Sequence, residues 1–376
     1  MTSLYPTDDL IKKGLRSLEP YKAGLPDMAI PDLKNYLGLN QVEKMSFNES
    51  PFGPSPDAIR AMKDALTELH LYHDVDECGL RGKLSTIHGV APEQILMGNG
   101  ADEIAQMTAM AFLSEGDEAI IPQPTYIQYE VSTLTMGATP VFVPVKDFQI
   151  DLNGILQAIT PKTKLIYLCN PNNPTGTLVA GDDLAAFVEA LPPSVVLFID
   201  EAYHDYVTDP AYRPSTEFLS QNKLVMGVRT FSKIHGLAAA RVGYAIGPEP
   251  LIHTVARTRM QVNVNYMGLC GASASVDDHA HRQWVQAQVE KGKQDLYDTF
   301  NRMHLAYVPS QGNFIFLNTG VDSRILVPAL AERGVVVRPG HLFGYPSYVR
   351  MTVGTDEQNR RFTNELAGFL AKNANI

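Results

Sequence analysis

Between Thr230 and Tyr244 the chain reads TFSKIHGLAAARVGY, a glycine-punctuated apolar stretch that holds two hydroxyls, one lysine and one arginine. A lysine kept away from water can have its pKa lowered from about 10.4 toward 7–8, which turns its amine into a nucleophile for carbonyl groups. Lys233 is that lysine, with Thr230 and Ser232 before it and Arg241 after it. Two more polar clusters follow apolar runs. VVLFID closes on Asp200, followed by Glu201, Ala202 and Tyr203, and KLIYLCN runs into Pro171, Asn172, Asn173, Pro174, Thr175 and Gly176. An aldehyde held as a Schiff base on Lys233 needs an electron sink. A ring nitrogen kept protonated by a carboxylate such as Asp200 would be one. Tyr203 and Asn173 could hydrogen-bond a phenolic oxygen beside the lysine, and Tyr126 could stack on the ring. A phosphate on the same molecule would find donors in Thr230, Ser232, Arg241 and the backbone N–H groups of Gly100, Ala101 and Asp102.

The elements that position these residues alternate. SPDAIRAMKDALTELH has Ser55 as a helix N-cap and Pro56 at the first helical position, and it predicts a helix. GNGADEIAQMTAMAFL predicts another, entered at Asn99 or Gly100. The runs EAIIP, TPVFVPV, KLIYLCN, VVLFIDEAY and LVMGVRTF are apolar without alternation, as in strands buried on both faces of a parallel sheet. Helical stretches such as GDDLAAFVEAL lie between them, so the fold class is α/β with a mostly parallel central sheet flanked by helices. In open sheets of this kind, residues at the carboxyl ends of strands face the ligand crevice. Past residue 270 a long helix (HRQWVQAQVEKGKQDLYDTFNRM) precedes shorter strands, NFIFLN, GVVVRP and YVRMTVG. The expected organisation is an arm over 1–30, a large domain over 45–270, and a smaller α+β domain over 31–44 and 271–376.

Composition narrows the function classes. Of 376 residues, 45% are hydrophobic and 19% charged, which fits a globular chain with a large core. The net charge of -10, with no basic face, argues against nucleic acid. Three scattered cysteines form neither a disulfide framework nor a metal pattern, and His70, His73, His88, His235 and His341 have no ligand spacing, so no metal is expected. No membrane span is read, and a cytoplasmic location is expected. GNGADE lacks the later ribose-binding acid of a dinucleotide fold.

Seven motifs then carry a resemblance: FNESPFGPSP at 47–56, LYHD at 71–74, GNGADE at 98–103, CNPNNPTG at 169–176, DEAY at 200–203, the segment 230–244, and VRMTVGT at 349–355. In this order and spacing they closely resemble the fold-type I pyridoxal-phosphate aminotransferases, in particular the histidinol-phosphate and aromatic aminotransferase group. The resemblance spans nearly the whole chain. It implies pyridoxal 5'-phosphate as cofactor, with Lys233 as its covalent anchor and proton carrier and Asp200 on the pyridine nitrogen. Asn173 and Tyr203 would meet the phenolic oxygen, and Tyr126 the ring. Ala101, Asp102, Thr230, Ser232 and Arg241 would surround the phosphate, with Tyr72 reaching it from the other subunit of a homodimer. Arg350 matches the position for the substrate carboxylate, and Arg338 the position that meets a distal phosphate. Tyr21 matches an arm tyrosine that reaches a neighbour's site, and Asn48 lies among the substrate-side residues.

The arm departs from the family pattern PYxPGKP, reading Pro20, Tyr21, Lys22, Ala23, Gly24, Leu25 and Pro26. The loop HLFGYPSY places His341, Phe343, Tyr345 and Tyr348 near the substrate. The implied reaction is ping-pong transamination between a donor, histidinol phosphate first and an aromatic amino acid second, and a 2-oxo acid such as 2-oxoglutarate. The alternatives are a specialised biosynthetic transaminase or a decarboxylase acting on a phosphorylated amino acid.

Overall fold

The computed structural model describes residues 10–16, 18–20, 24–73, 77, 79–219 and 223–372. Its strands are β1 (Glu43–Met45), β2 (Ile95–Gly98), β3 (Glu118–Gln123), β4 (Thr139–Pro144), β5 (Thr163–Cys169), β6 (Val196–Asp200), β7 (Val225–Thr230), β8 (Gly243–Ile246), β9 (Tyr307–Val308), β10 (Phe314–Asn318), β11 (Val335–Pro339) and β12 (Tyr348–Thr352). The helices are α1 (Ile30–Leu37), α2 (Pro56–Ala65), α3 (Leu80–His88), α4 (Gly100–Phe112), α5 (Gln128–Thr135), α6 (Leu152–Ala158), α7 (Gly181–Ala190), α8 (Glu249–Ala256), α9 (Tyr266–Asp277), α10 (His279–Arg302), α11 (Ser323–Ala331) and α12 (Asp356–Lys372).

Strands β2–β8 form a seven-stranded sheet in the order β2-β8-β7-β6-β5-β3-β4. The run TPVFVPV forms the edge strand β4, where only Val143 is buried, so it is not covered on both faces as its composition suggested. The other four apolar runs occupy the sheet's interior, and every residue of β6 and β7 is buried. Alternate residues of those runs feed two different cores, as a two-residue side-chain period requires. Ile166, Leu168, Leu197 and Ile199 pack with Ile155, Leu184 and Phe187 of α6 and α7. Leu165, Tyr167, Phe198 and Met226 pack with Ile104, Tyr129 and Leu251 of α4, α5 and α8. Each fully buried side chain of this size contributes about 1.5–3 kcal/mol. Strand β8 runs antiparallel to both β7 and β2. The edge strand β4 carries Pro140 and Pro144, which blunt that edge against further pairing.

The second sheet has the order β1-β11-β12-β10-β9, with β1 parallel to β11 and the other pairs antiparallel. Its core joins Val335, Val337 and Phe314 to Val289 and Phe300 of α10 and Phe362 and Leu366 of α12. Tyr203 and Ile234, from loops of the first sheet, are buried in the same cluster, so one apolar core locks the two sheets together beside the reactive lysine.

The helix expected over 55–70 is shorter. Ser55 Oγ accepts from the Ala58 N–H at 3.2 Å, as an N-cap does, but α2 ends at Ala65 and a 3₁₀ turn covers Leu66–Glu68. Asn99 precedes α4 without capping it, because its Nδ2 donates to Glu103 Oε2 at 3.2 Å and to the Asn263 carbonyl at 2.7 Å. No helix among the described residues is long and apolar enough to cross a membrane.

Gly236, in the loop that carries Lys233, has φ +68, and a Cβ there would lie 2.4 Å from the Gly53 carbonyl. The left-handed backbone alone costs a residue with a Cβ roughly 1–2 kcal/mol, and backbone cannot yield to the clash as a flexible side chain would. Gly236→Ala is therefore expected to lower stability by at least about 2 kcal/mol, read as a lower urea midpoint. An unchanged midpoint would contradict the close packing of this loop on residues 53–54.

Candidate active site

The carboxyl ends of β3, β5, β6 and β7 meet at one edge of the large sheet, and β2, parallel to β7 through β8, ends there too. Lys233 follows β7 by three residues. Its Nζ donates to the Phe47 carbonyl at 3.1 Å and lies 5.6 Å from the centre of the Tyr203 ring. Burial and the nearby Arg350 guanidinium lower its pKa to about 8, against the opposing pull of Glu49, Asp102 and Asp200. An appreciable fraction of the amine is then neutral, hence nucleophilic, near pH 7–8.

Asp200 ends β6 and is 4% exposed. Burial raises its pKa to about 6, although the Tyr129 hydroxyl donates to one oxygen at 2.6 Å and the Ala202 N–H to the other at 3.0 Å. A carboxylate so held is poised to accept a charged hydrogen bond from a protonated ring nitrogen. Behind it, buried Glu201 pairs with Arg229 at 2.8 Å and accepts from the Ser215 N–H and hydroxyl and from Tyr212. This satisfied network ties the end of β6 to β7 and fixes the spacing between Asp200 and Lys233.

Asn173, in the loop after β5, accepts from Arg350 Nη1 at 2.5 Å. Tyr203 is buried, its hydroxyl accepts from Asn48 Nδ2 at 3.0 Å, and burial pushes its pKa up. Asn48 itself has φ 55 and is tied to the second sheet through Thr352 Oγ1 at 2.9 Å and Asn313 Nδ2 at 3.0 Å. Tyr126 follows β3 and donates to Asp102 at 2.9 Å, with its ring 5.7 Å from that of Tyr129.

A cup of donors lies beside the lysine. Thr230 donates to Ser232 Oγ at 2.9 Å and accepts from the Ser232 N–H at 3.1 Å. Arg241 donates to Ser232 Oγ at 3.3 Å and to Asp102 at 3.1 Å. Ala101 and Asp102 form the first turn of α4, where free N–H groups and the helix dipole favour an anion. Gly100 has φ +75, a left-handed backbone that favours glycine, and a Cβ there would also press on the Arg241 guanidinium at 2.5 Å.

Arg350 is 5% exposed and donates to the Ser46 carbonyl at 2.5 Å, while its Nε has no hydrogen-bond partner. Among the described residues no carboxylate pairs with it, and burial together with Arg338 lowers its pKa to about 10. Arg338 lies directly opposite Arg350 in the β11–β12 ladder, and its guanidinium is ion-paired with Asp27. Directly opposed residues of an antiparallel pair project to the same face. Phe343 from the loop after β11 lies 5.8 Å from the Arg350 guanidinium, and Tyr345 and Tyr348 pack with Phe316 and Phe148. His341 exchanges a 3.0 Å hydrogen bond with Ser323.

The structure thus gathers Asn48, Ala101, Asp102, Tyr126, Asn173, Asp200, Tyr203, Thr230, Ser232, Lys233, Arg241, Arg338 and Arg350 in one region. Tyr72 is not among them in this chain, being 90% exposed. Tyr21 lies outside the described residues. Sequence reasoning missed Tyr129, Phe47, Ser46 and Asp27. Only Tyr129 left a signal, as the second tyrosine of PTYIQYE three residues after Tyr126. No cluster of metal-ligating side chains occurs among the described residues.

Asp200 makes a signed prediction. A raised carboxyl pKa in the folded state means that ionisation costs stability, so the cost is full above about pH 6 and fades as pH falls toward 4. Asn at this position can still accept from Ala202 and donate to the Tyr129 hydroxyl. In cofactor-free protein, Asp200→Asn is expected to raise stability at pH 7.5 by roughly 1–3 kcal/mol, with the gain vanishing near pH 4. Denaturant titrations at the two pH values check it, and destabilisation at pH 7.5 would contradict the assigned burial cost.

The family model of aminotransferase class I and II matches residues 40–366. A histidinol-phosphate aminotransferase of Moorella thermoacetica is 40% identical over 361 residues, 96% of this chain and 93% of that protein. One of Caldicellulosiruptor saccharolyticus is 37% identical over 95% of this chain and 99% of its own length. Among solved structures, the histidinol-phosphate aminotransferase of Sinorhizobium meliloti in complex with pyridoxal-5'-phosphate superposes with a TM-score of 0.88 at 26% identity, covering 96% of this chain and 98% of that one. With the lysine, carboxylate and donor cup at one sheet edge, these matches place the chain in the class I and II aminotransferases, as a pyridoxal-phosphate-dependent enzyme of fold type I.

Proposed function

We propose that this chain transfers the amino group of histidinol phosphate to a 2-oxo acid such as 2-oxoglutarate, by a ping-pong reaction in a homodimer located in the cytoplasm. The observation that carries the substrate reading is the pair of opposed arginines, Arg338 and Arg350, beside the depressed amine of Lys233. Donor and acceptor then share one cationic face, which suits a distal phosphate in one half-reaction and a distal carboxylate in the other.

The residues fit the cofactor on the chemistry of their donors. Thr230, Ser232, Arg241 and the entrance of α4 would take a phosphate dianion, with Ala101 and Asp102 lining the cup. Asp200 would take the ring nitrogen, Tyr203 and Asn173 the phenolic oxygen, and Tyr126 one face of the ring. When bound, pyridoxal phosphate supplies an electron sink for the pair released when a proton leaves the donor's α-carbon. Lys233 would anchor it through Nζ and would accept and return that proton at the same nitrogen, a task suited to an amine of pKa about 8. Asp200 would keep the ring nitrogen protonated, and its burial would strengthen that hydrogen bond. Asn48 orients the Tyr203 hydroxyl. Arg350 would hold the α-carboxylate of an amino acid or 2-oxo acid. Arg338 would hold the distal carboxylate of the acceptor or the phosphate of histidinol phosphate, which carries no carboxylate.

The exposure of Tyr72, next to Leu66, Leu69 and Leu71 that are each more than half exposed, supports a dimer in which Tyr72 reaches the neighbour's phosphate cup. Tyr21 would approach a neighbour's substrate in the same way. The division into an arm (1–30), a large domain (45–270) and a small domain (31–44 with 271–376) belongs to the same reading.

The test follows the visible band of the lysine-bound cofactor during single additions of histidinol phosphate, phenylalanine and glutamate. Histidinol phosphate is expected to bleach it at the lowest concentration and 2-oxoglutarate to restore it, while Lys233→Ala loses both band and turnover. No bleaching by histidinol phosphate at any concentration would overturn the donor assignment. Arg338→Gln is expected to raise KM for histidinol phosphate about 10- to 100-fold with phenylalanine little changed. Equal losses for both donors would refute the distal-anion role.

A further inference from the structure

Arg338 already has an anion. Its guanidinium is paired with Asp27, whose carboxylate is 8% exposed in the pair. This is no solvated surface contact. The arginine side chain is 17% exposed and also lies 5.9 Å from the centre of the Phe47 ring. The carboxylate sits in a short 3₁₀ turn, Leu25–Asp27, and its other oxygen accepts from the Gly24 N–H at 2.9 Å. The same turn is pinned by Ser46, which donates to the Pro26 carbonyl at 2.6 Å while its own carbonyl accepts from Arg350. One small element is therefore linked to both opposed arginines.

Two guanidiniums directly opposite on one sheet face repel, and an anion between or beside them relieves that repulsion. Arg350 has no carboxylate partner among the described residues, so Asp27 is the counter-charge that the pair has before substrate arrives. We propose that Asp27 is an internal competitor for the distal-anion subsite. A substrate phosphate or carboxylate must displace it from Arg338, and this sets a threshold that selects substrates by the charge of their far end. A phosphate dianion exceeds the threshold most easily, a single carboxylate less so, and a neutral side chain leaves the Asp27–Arg338 pair in place. Arg338 also contacts Phe47 and sits in the β11–β12 ladder opposite Arg350, and neither of these restraints involves Asp27. Asp27 thus acts on specificity through Arg338 and not on the chemistry. The inference rests on the distal-anion role proposed above for Arg338, but not on the identity of the donor.

The test compares wild type, Asp27→Asn and Asp27→Glu as holoenzymes. Calorimetry gives dissociation constants for glutarate, which carries a distal carboxylate, and butyrate, which does not. Steady-state kinetics gives kcat and KM for histidinol phosphate and phenylalanine. In Asp27→Asn, glutarate is expected to bind about three- to ten-fold more tightly, and KM for histidinol phosphate to fall by a similar factor. Butyrate binding, phenylalanine KM and kcat stay unchanged, and Asp27→Glu returns the glutarate value toward wild type. A merely structural role for the turn would shift all four ligands together. Unchanged or weaker glutarate binding in Asp27→Asn, or an equal gain for butyrate, would overturn the inference. Failure of wild type to turn over histidinol phosphate would sink the donor assignment alone, and glutarate would still decide the role of Asp27.

Discussion

The site depends on withdrawing one amine from water beside a buried guanidinium. Lys233 sits where the loop after β7 meets the second sheet, packed against the Tyr203 ring and facing Arg350. Burial and like charge both disfavour its protonated form, and those two effects make a lysine reactive at neutral pH. Nearly every feature of the fold bears on this arrangement. The large sheet brings Asp200 and the donor cup to one edge, and the small sheet delivers Arg350 and Arg338. Tyr203 and Ile234 enter the core of the small sheet, so the amine cannot drift from the arginines without disrupting a buried cluster.

The charges around the amine are arranged by how much freedom each has. Glu201 and Arg229 are buried and paired, and both oxygens of Glu201 are hydrogen-bonded, a brace beneath the reactive groups. Asp200 is buried with a raised pKa, so its ionised form carries a desolvation cost. Arg350 is buried, and among the described residues its Nε has no hydrogen-bond partner and no carboxylate pairs with it. Buried charges of this kind carry a desolvation cost that an ionic partner would offset, which is the physical content of preorganisation.

Much of this was legible in the sequence because it depends on residue type at strand ends. Unbroken apolar runs marked the buried strands, and the polar residues that closed them marked the crevice, so Asn173, Asp200 and Lys233 could be brought together from pattern alone. The short strands Ile95–Gly98 and Gly243–Ile246 were not read as strands, since four residues carry too little periodicity. Long-range pairs were also invisible. Asp27 and Arg338 are separated by 311 positions, and nothing in Leu25, Pro26 and Asp27 announces a counter-charge. The Phe47 and Ser46 carbonyls hold the two key cations through backbone oxygens, which every residue possesses. Tyr129 was within reach of sequence reasoning, but its role depends on α5 crossing the sheet face behind Asp200.

The most direct measurement of the central claim is covalent. Purified protein loaded with pyridoxal phosphate would be reduced with borohydride, digested, and its peptides mapped by mass spectrometry. The account predicts a single pyridoxyl-modified peptide, with the label on Lys233 and on no other lysine. A label on a different lysine, or none on a protein that binds the cofactor stoichiometrically, would contradict it.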